Sequence, residues 1–261
     1  MIDTRQKKIL LLAVRAGELL MKNGAETYRV EDTIERICKA CKVPYVEVFA
    51  TQTGIFVTID SGKDDSDVFT YVKRINGGSS TDLKKVSELN KFSREFVSTD
   101  MTIEEGRQRL KEIKDIKPLS VPLQLIGAAL ISAFFCLLFE GSALDAVCSV
   151  FVGAASYALS LLLSKNSFNL FMKGFMCSAL ACLLSLLICA PFPQLHYPSM
   201  LIGVLMIYVP GGAITLSIRD FLAGHMVSGV AKMTEVFLIA ISLATGAGIV
   251  LSIWNSMGGV I

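Results

Sequence analysis

Residues 208–232 read YVPGGAITLSIRDFLAGHMVSGVAK and lie between two apolar segments long enough to enter a bilayer. Pro210 removes a backbone donor and crowds the preceding turn, and Gly211 and Gly212 loosen the chain after it. A helix descending from Met200 should therefore break or kink here. Arg219 and Asp220 follow within about two and a half helical turns. Irregular backbone within a membrane is tolerated only where protein or a water-filled cavity satisfies it, and a charged pair beside it marks a candidate functional site. The rest of the chain reads as a means of placing this segment.

With 52% hydrophobic residues and a mean hydropathy of +0.56, the 261-residue chain is too apolar for an ordinary soluble domain, yet 18% of it is charged. The charge is uneven. Residues 119–261 hold only Glu140, Asp145, Lys165, Lys173, Arg219, Asp220, Lys232 and Glu235, and the other 40 charged residues fall in the first 118. This predicts a cytoplasmic α+β domain over residues 1–118 and a transmembrane domain over 119–261, with Lys117-Pro118 as the boundary. A net charge of +2 without a long basic run argues against a nucleic-acid partner. Five of the seven cysteines (Cys136, Cys148, Cys177, Cys182, Cys189) sit in apolar segments as small hydrophobes. Cys38 and Cys41 spell a lone Cys-Lys-Ala-Cys with no histidine in the first 118 residues, so neither a metal site nor a cofactor is expected.

The early apolar run at residues 9–13 is brief and followed by Arg15, which reads as an amphipathic helix and not a signal peptide. Ile9, Leu12, Ala16, Leu19 and Leu20 share one face, and Asn23-Gly24 supplies a stop. A second helix carries Val30, Ile34, Ile37, Cys38 and Cys41 inward. Runs rich in Val, Ile, Phe and Tyr at 45–50, 55–59 and 68–75, separated by Thr53-Gly54 and Ser61-Gly62 and closed by Asn76-Gly77-Gly78, predict an antiparallel meander packed by helices on one face. Two charged helices close the domain, from Thr81 to about Phe96 and from Thr102 to about Ile116, each opened by a Thr cap, the second with Glu104 two residues on.

Five membrane segments follow, at about 119–139, 143–163, 168–190, 200–218 and 231–254, each near the roughly 20 residues that cross about 30 Å of hydrocarbon. Lys165 and Lys173 flank the second connection, Arg219 and Lys232 the fourth, and the first and third carry no basic residue. With 21 Lys and Arg before residue 119, the positive-inside rule places the N-terminal domain and connections two and four in the cytoplasm and the C-terminus outside. Small residues at 153–155 and 246–248 fit close helix contacts, within one chain or between copies.

No GxxxxGK[ST] phosphate cradle occurs, so movement of a substrate would be driven by a gradient. The only histidines, His196 and His225, lie in the membrane half, which argues against Ser-His or Cys-His catalysis in the soluble domain. Glu26, Glu31 and Asp32 cluster near Asn23 and read as solvated helix surface. At the break, a first half-helix ends in exposed carbonyls and the next begins with free amides near Gly212, an arrangement that can hold a cation on one side and a carboxylate on the other. A kink that only aids packing is the alternative. Arg219 suits a fork of hydrogen bonds to a carboxylate, Asp220 or Glu235 could carry a proton, and His225 titrates in a useful range; a salt bridge at the cytoplasmic interface is the plainer reading of the charges.

Three stretches, NGAETYRVEDTIERI (23–37), ATQTGIFVTI (50–59) and VPGGAITLSIRDFLAGHMVSGVAK (209–232), together resemble the threonine/serine exporter family over nearly the whole chain. Pro210, Gly211, Arg219, Asp220, Gly224, Ser228, Gly229 and Lys232 carry the strongest part of the likeness, and His225 stands where many relatives have an acidic residue. Full-length members have a soluble N-terminal domain and about ten membrane segments in two similar halves. This chain, with five, resembles the first half of a split exporter. The resemblance implies a partner in the form of a second small membrane subunit with four or five transmembrane helices, and a small-molecule substrate that in some split relatives is a dicarboxylate such as succinate.

Together these readings predict an α-helical polytopic membrane protein with five transmembrane helices, one broken, and an N-terminal α+β soluble domain. Its expected function is as an inner-membrane exporter subunit, not an enzyme, for small carboxylate-bearing metabolites, threonine or serine first, alone or as a homo-oligomer with its partner. The expected substrate or coupling residues are Pro210, Gly211, Gly212, Arg219, Asp220, His225, Ser228, Lys232 and Glu235. A membrane-anchored hydrolase or sensor is the competing class. A transporter is expected to need Arg219 and Asp220 and to tolerate changes at Glu26 or Glu31, and a hydrolase the reverse.

Overall fold

The computed structural model describes residues 4–60, 68–75, 81–166 and 168–259. Its chain divides into two units, one formed by Met1–Lys117 with Gly212–Met233 and the other by Pro118–Gly211 with Thr234–Ile261.

In the first unit, α1 (Thr4–Lys22) is a central helix that buries Ile9, Leu12, Ala16 and Leu20. It stops where the sequence predicts, because Asn23 folds its side-chain amide back onto the Leu19 carbonyl at 2.7 Å and Gly24 adopts φ +82°. Helix α2 (Thr27–Ala40) buries Val30, Ile34, Ile37 and Cys38, while Cys41 is half-buried at the C-cap. Burial pushes the Cys38 thiol up to about 12, the opposite of a reactive thiolate.

Strands β1 (Tyr45–Thr51), β2 (Gly54–Asp60) and β3 (Val68–Arg74) form the predicted meander in the order β1-β2-β3, both pairs antiparallel. Strand β2 turns Ile55, Val57 and Ile59 into the core shared with α1 and α2, and leaves Phe56 outside. The expected punctuation at Ser61-Gly62 and at 76–78 lies outside the described residues. Helix α3 (Leu83–Ser98) is capped by Asp82, whose carboxylate accepts from the Lys85 amide at 3.1 Å, and not by Thr81 as expected. A carboxylate one residue nearer the first turn satisfies the same orphan amide and also suits the helix dipole. Helix α4 (Ile103–Lys114) does open at Thr102, but the reciprocal partner in its capping box is Glu105, three residues on, and not Glu104.

The second unit contains α5 (Val121–Leu138), α6 (Ala143–Lys165), α7 (Leu170–Cys189), α8 (Tyr197–Leu205) and most of α10 (Met226–Ser256). Among the described residues, four helices are long and apolar enough to cross a membrane, namely α5, α6, α7 and α10. The segment expected over 200–218 is instead two helices, α8 and α9 (Gly211–Leu222), of 9 and 12 residues. Neither alone reaches the roughly 20 residues a crossing needs. Packing in this unit is inverted relative to a soluble core. Ser132, Ser149, Ser156, Ser178 and Ser185 are buried while Phe134, Leu138 and Phe151 face outward, the pattern expected where apolar side chains meet lipid and small residues meet helices. At Gly203 a Cβ would stand 2.5 Å from the Ser132 carbonyl oxygen, so α8 can lie on the α5 backbone only with glycine there. The first and third connections meet, since Asp145 of the Ser142 capping box accepts from the His196 amide at 2.8 Å.

Candidate functional site

Helix α9 is the element on which the predicted residues converge, and it belongs to the first unit from Gly212 onward. Gly224, at φ +85°, reverses the chain after α9, the His225 amide bonds the Asp220 carbonyl at 2.8 Å, and α10 starts at Met226, five residues earlier than expected. The hairpin is fastened by the Ser217 hydroxyl donating to the Gly229 carbonyl at 2.8 Å, and the Phe221 ring lies where a Cβ on Gly229 would be.

Asp220 is fully buried, and Lys232, nearly two turns into the returning helix, donates to its Oδ2 at 2.8 Å. Two more donors come from 193 residues away. The Thr27 amide donates to Oδ1 at 3.1 Å and the Thr27 hydroxyl to Oδ2 at 3.2 Å. Helix α2 has no side-chain cap of its own at Glu26, so Asp220 supplies one, placing a negative charge at the positive end of α2. Beside it, Arg219 donates through Nη1 to Glu26 Oε1, and Arg29 Nε lies 2.9 Å from Glu26 Oε2. The Glu26 carboxylate is buried and divided between two arginines, whereas the Arg219 side chain remains 55% exposed. His225 Nε2 stands 3.6 Å from Glu31 Oε2, and Glu31 Oε1 accepts from the Ala50 amide at 2.8 Å.

Of the expected residues, the fold thus brings together Arg219, Asp220, His225 and Lys232. Ser228 is buried one turn before Lys232 with no partner for its hydroxyl among the described residues. Pro210, Gly211 and Gly212 are at the opposite end of α9, about two helical turns away. Glu235 is half-buried further along α10, in the other unit. Glu26, Thr27, Arg29 and Glu31 join the cluster without having been expected there. Glu26 and Glu31 are not the solvated surface that the sequence implies; only Asp32 of that trio is exposed. Substitutions at Glu26 or Glu31 therefore cannot separate a transporter from a hydrolase, because both side chains pack on the α9–α10 hairpin.

Burial pushes the Glu31 carboxyl above the usual carboxylate range, with Glu35 and Asp220 adding to the rise and the Ala50 amide and His225 opposing it. A carboxyl raised on folding contributes stability that is present below its unfolded value of 4.5 and lost as pH rises through the folded value. Glu31→Gln keeps an acceptor for the Ala50 amide and removes that loss. The thermal midpoint of the variant in detergent, measured relative to wild type, should rise as pH increases from about 4.5 toward neutrality. Parallel midpoints across that range would contradict the assignment.

A family model described as "Putative threonine/serine exporter" matches residues 11–254. A Mycobacterium tuberculosis protein named "Probable threonine/serine exporter" is 23% identical over 261 residues, covering 99% of this chain and 47% of that protein. Two proteins named "Probable succinate transporter subunit YjjP", from Klebsiella aerogenes and Escherichia coli, are 22% and 23% identical, with 98% of this chain and 97% and 98% of those proteins covered. The chain spans about half the length of the mycobacterial relative and nearly all of the other two. No solved structure matches it.

Proposed function

The chain belongs to the threonine/serine exporter family, and from that premise we propose that it is a subunit of a gradient-driven exporter of small carboxylate-bearing metabolites, threonine and serine first. The observation that carries this reading is the half-exposed Arg219, whose carboxylate partner Glu26 is shared with Arg29. A substrate carboxylate entering beside α9 can take the place of Glu26 on the Arg219 fork, so Arg219 both binds the anionic group and gates it. Asp220, fully engaged by Lys232 and Thr27, holds Arg219 in position. Glu235 is the better candidate for a coupling proton, since it sits in a candidate membrane helix with no ion pair or hydrogen bond among the described residues. His225, half-buried beside Glu31, flanks the site around Arg219.

The proposed orientation keeps the N-terminal domain in the cytoplasm of the inner membrane and the C-terminus outside. It is supported by the basic N-terminal residues and by Arg219 and Lys232 folding with that same unit. A dicarboxylate is the second reading, favoured by the near full-length match to two proteins named as succinate transporter subunits. The word "subunit" in those names also supports a second small membrane protein as partner.

Efflux of preloaded labelled threonine, serine and succinate from cells making this chain, with and without such a small partner, tests both readings. Efflux of one of these solutes, dependent on the partner, is the expected result. No efflux of any of the three with both proteins in the membrane would overturn the assignment.

A further inference from the structure

The first unit contains a second polar feature that the cluster around Asp220 does not use: a cleft of about 850 Å³. It follows one stripe of α1. Leu11, Arg15, Glu18 and Lys22 recur at spacings of four, three and four, so a helix otherwise buried turns this edge outward. Strand β3 contributes Tyr71 and Lys73, two residues apart and hence on one face, α3 contributes Lys85, and α4 contributes Arg107 and Lys114, two turns apart.

Among the described residues, six basic side chains from four elements therefore face one cavity with a single carboxylate, Glu18. That carboxylate is already spent: Lys22 lies 2.8 Å from it and Lys73 3.4 Å. Burial works to raise the Glu18 carboxyl, but these two lysines hold it below the usual range, so it stays charged. Lys85 donates to the Lys114 carbonyl at 3.2 Å and stands 3.9 Å from Asp82. Arg15, Arg107 and the Lys114 ammonium make no ion pair or hydrogen bond among the described residues. Uncompensated like charges around a concave surface repel one another and raise the local concentration of anions. Leu11, Leu19 and Tyr71 give the same cleft an apolar side.

We propose that this cleft binds a small polyanion carrying two or more phosphate groups beside an apolar part. Two free guanidiniums and a free ammonium are more cationic capacity than the single carboxylate of an amino acid would neutralise, and arginine forks match phosphate oxygens. The ligand comes either from solution, as a nucleotide does, or from an anionic lipid headgroup. The site is separate from Arg219 and does not rest on the transport reading.

The test is calorimetric titration of the full chain in neutral detergent with ATP, with tripolyphosphate, and with the water-soluble lipid dioctanoyl phosphatidylinositol bisphosphate. The comparison is the Arg15→Gln/Arg107→Gln variant, both positions being exposed, with circular dichroism to show that its fold is kept. Binding of ATP or tripolyphosphate that weakens roughly tenfold in the variant supports the proposal and assigns a soluble source. Binding of the lipid alone, weakened likewise, supports it and assigns the headgroup. Failure of the wild-type chain to bind any of the three, or binding that the variant leaves unchanged, overturns it.

Discussion

With Asn in place of Asp220, the first unit should lose about 3 kcal/mol of stability, and the export proposed for the chain should stop. The magnitude follows from burial. Asp220 is 0% exposed and Lys232 5%, so neutralising one partner leaves an ammonium in a site where water cannot replace the lost carboxylate. The same change weakens the cap on α2, since Asn has one acceptor oxygen to offer the Thr27 amide and hydroxyl where Asp has two. Lys232→Met should cost a similar amount, and combining it with Asp220→Asn should cost less than the two added, because the double variant buries no unpaired charge. Hydrogen exchange at the Thr27 amide is the local readout. It should accelerate in Asp220→Asn and recover in part in the double variant, and unchanged protection in Asp220→Asn would show that the carboxylate does not cap α2.

Changing Arg219 has the opposite signature, a loss of transport with little loss of fold. The Arg219 side chain is 55% exposed, so its ion pair with Glu26 is well screened and contributes little to stability. Glu26 keeps Arg29 when Arg219 is removed, and is not left as an unpaired buried charge. A substrate carboxylate, by contrast, loses charge-assisted hydrogen bonds, so flux should fall by at least about tenfold in Arg219→Gln. Arg219→Lys keeps the charge but not the fork and should fall between the two.

The break at Pro210 was legible because its cause is local. Proline at 210 clashes with the carbonyl four residues back, and α8 accordingly ends at Leu205 with Met206 as its C-cap. The meander was legible for the same kind of reason, since Ile55, Val57 and Ile59 alternate with outward residues and the chain turns at Gln52-Thr53. The return of residues 212–233 to the N-terminal unit was not legible. A hydrogen bond between Thr27 and Asp220 leaves no periodicity in either segment, and Glu26 beside Glu31 and Asp32 looks like an ordinary acidic helix face. One signal could have been used. Glu26 stands at the N-cap of α2, a position where Ser, Thr, Asp or Asn is usual, so the first amides of that helix needed an acceptor from elsewhere. Two of the three stretches that carry the family likeness, 23–37 and 209–232, meet there.

The most direct test of the account is efflux rate against internal concentration of the exported solute, compared for wild type, Arg219→Gln and Glu26→Gln at equal membrane abundance. If a substrate carboxylate displaces Glu26 from Arg219, Arg219→Gln loses flux at every concentration. Glu26→Gln then reaches half-saturation at a lower concentration than wild type, because the competing carboxylate is gone. Full flux in Arg219→Gln, or a half-saturation unmoved by Glu26→Gln, would contradict the proposal that Arg219 receives the substrate.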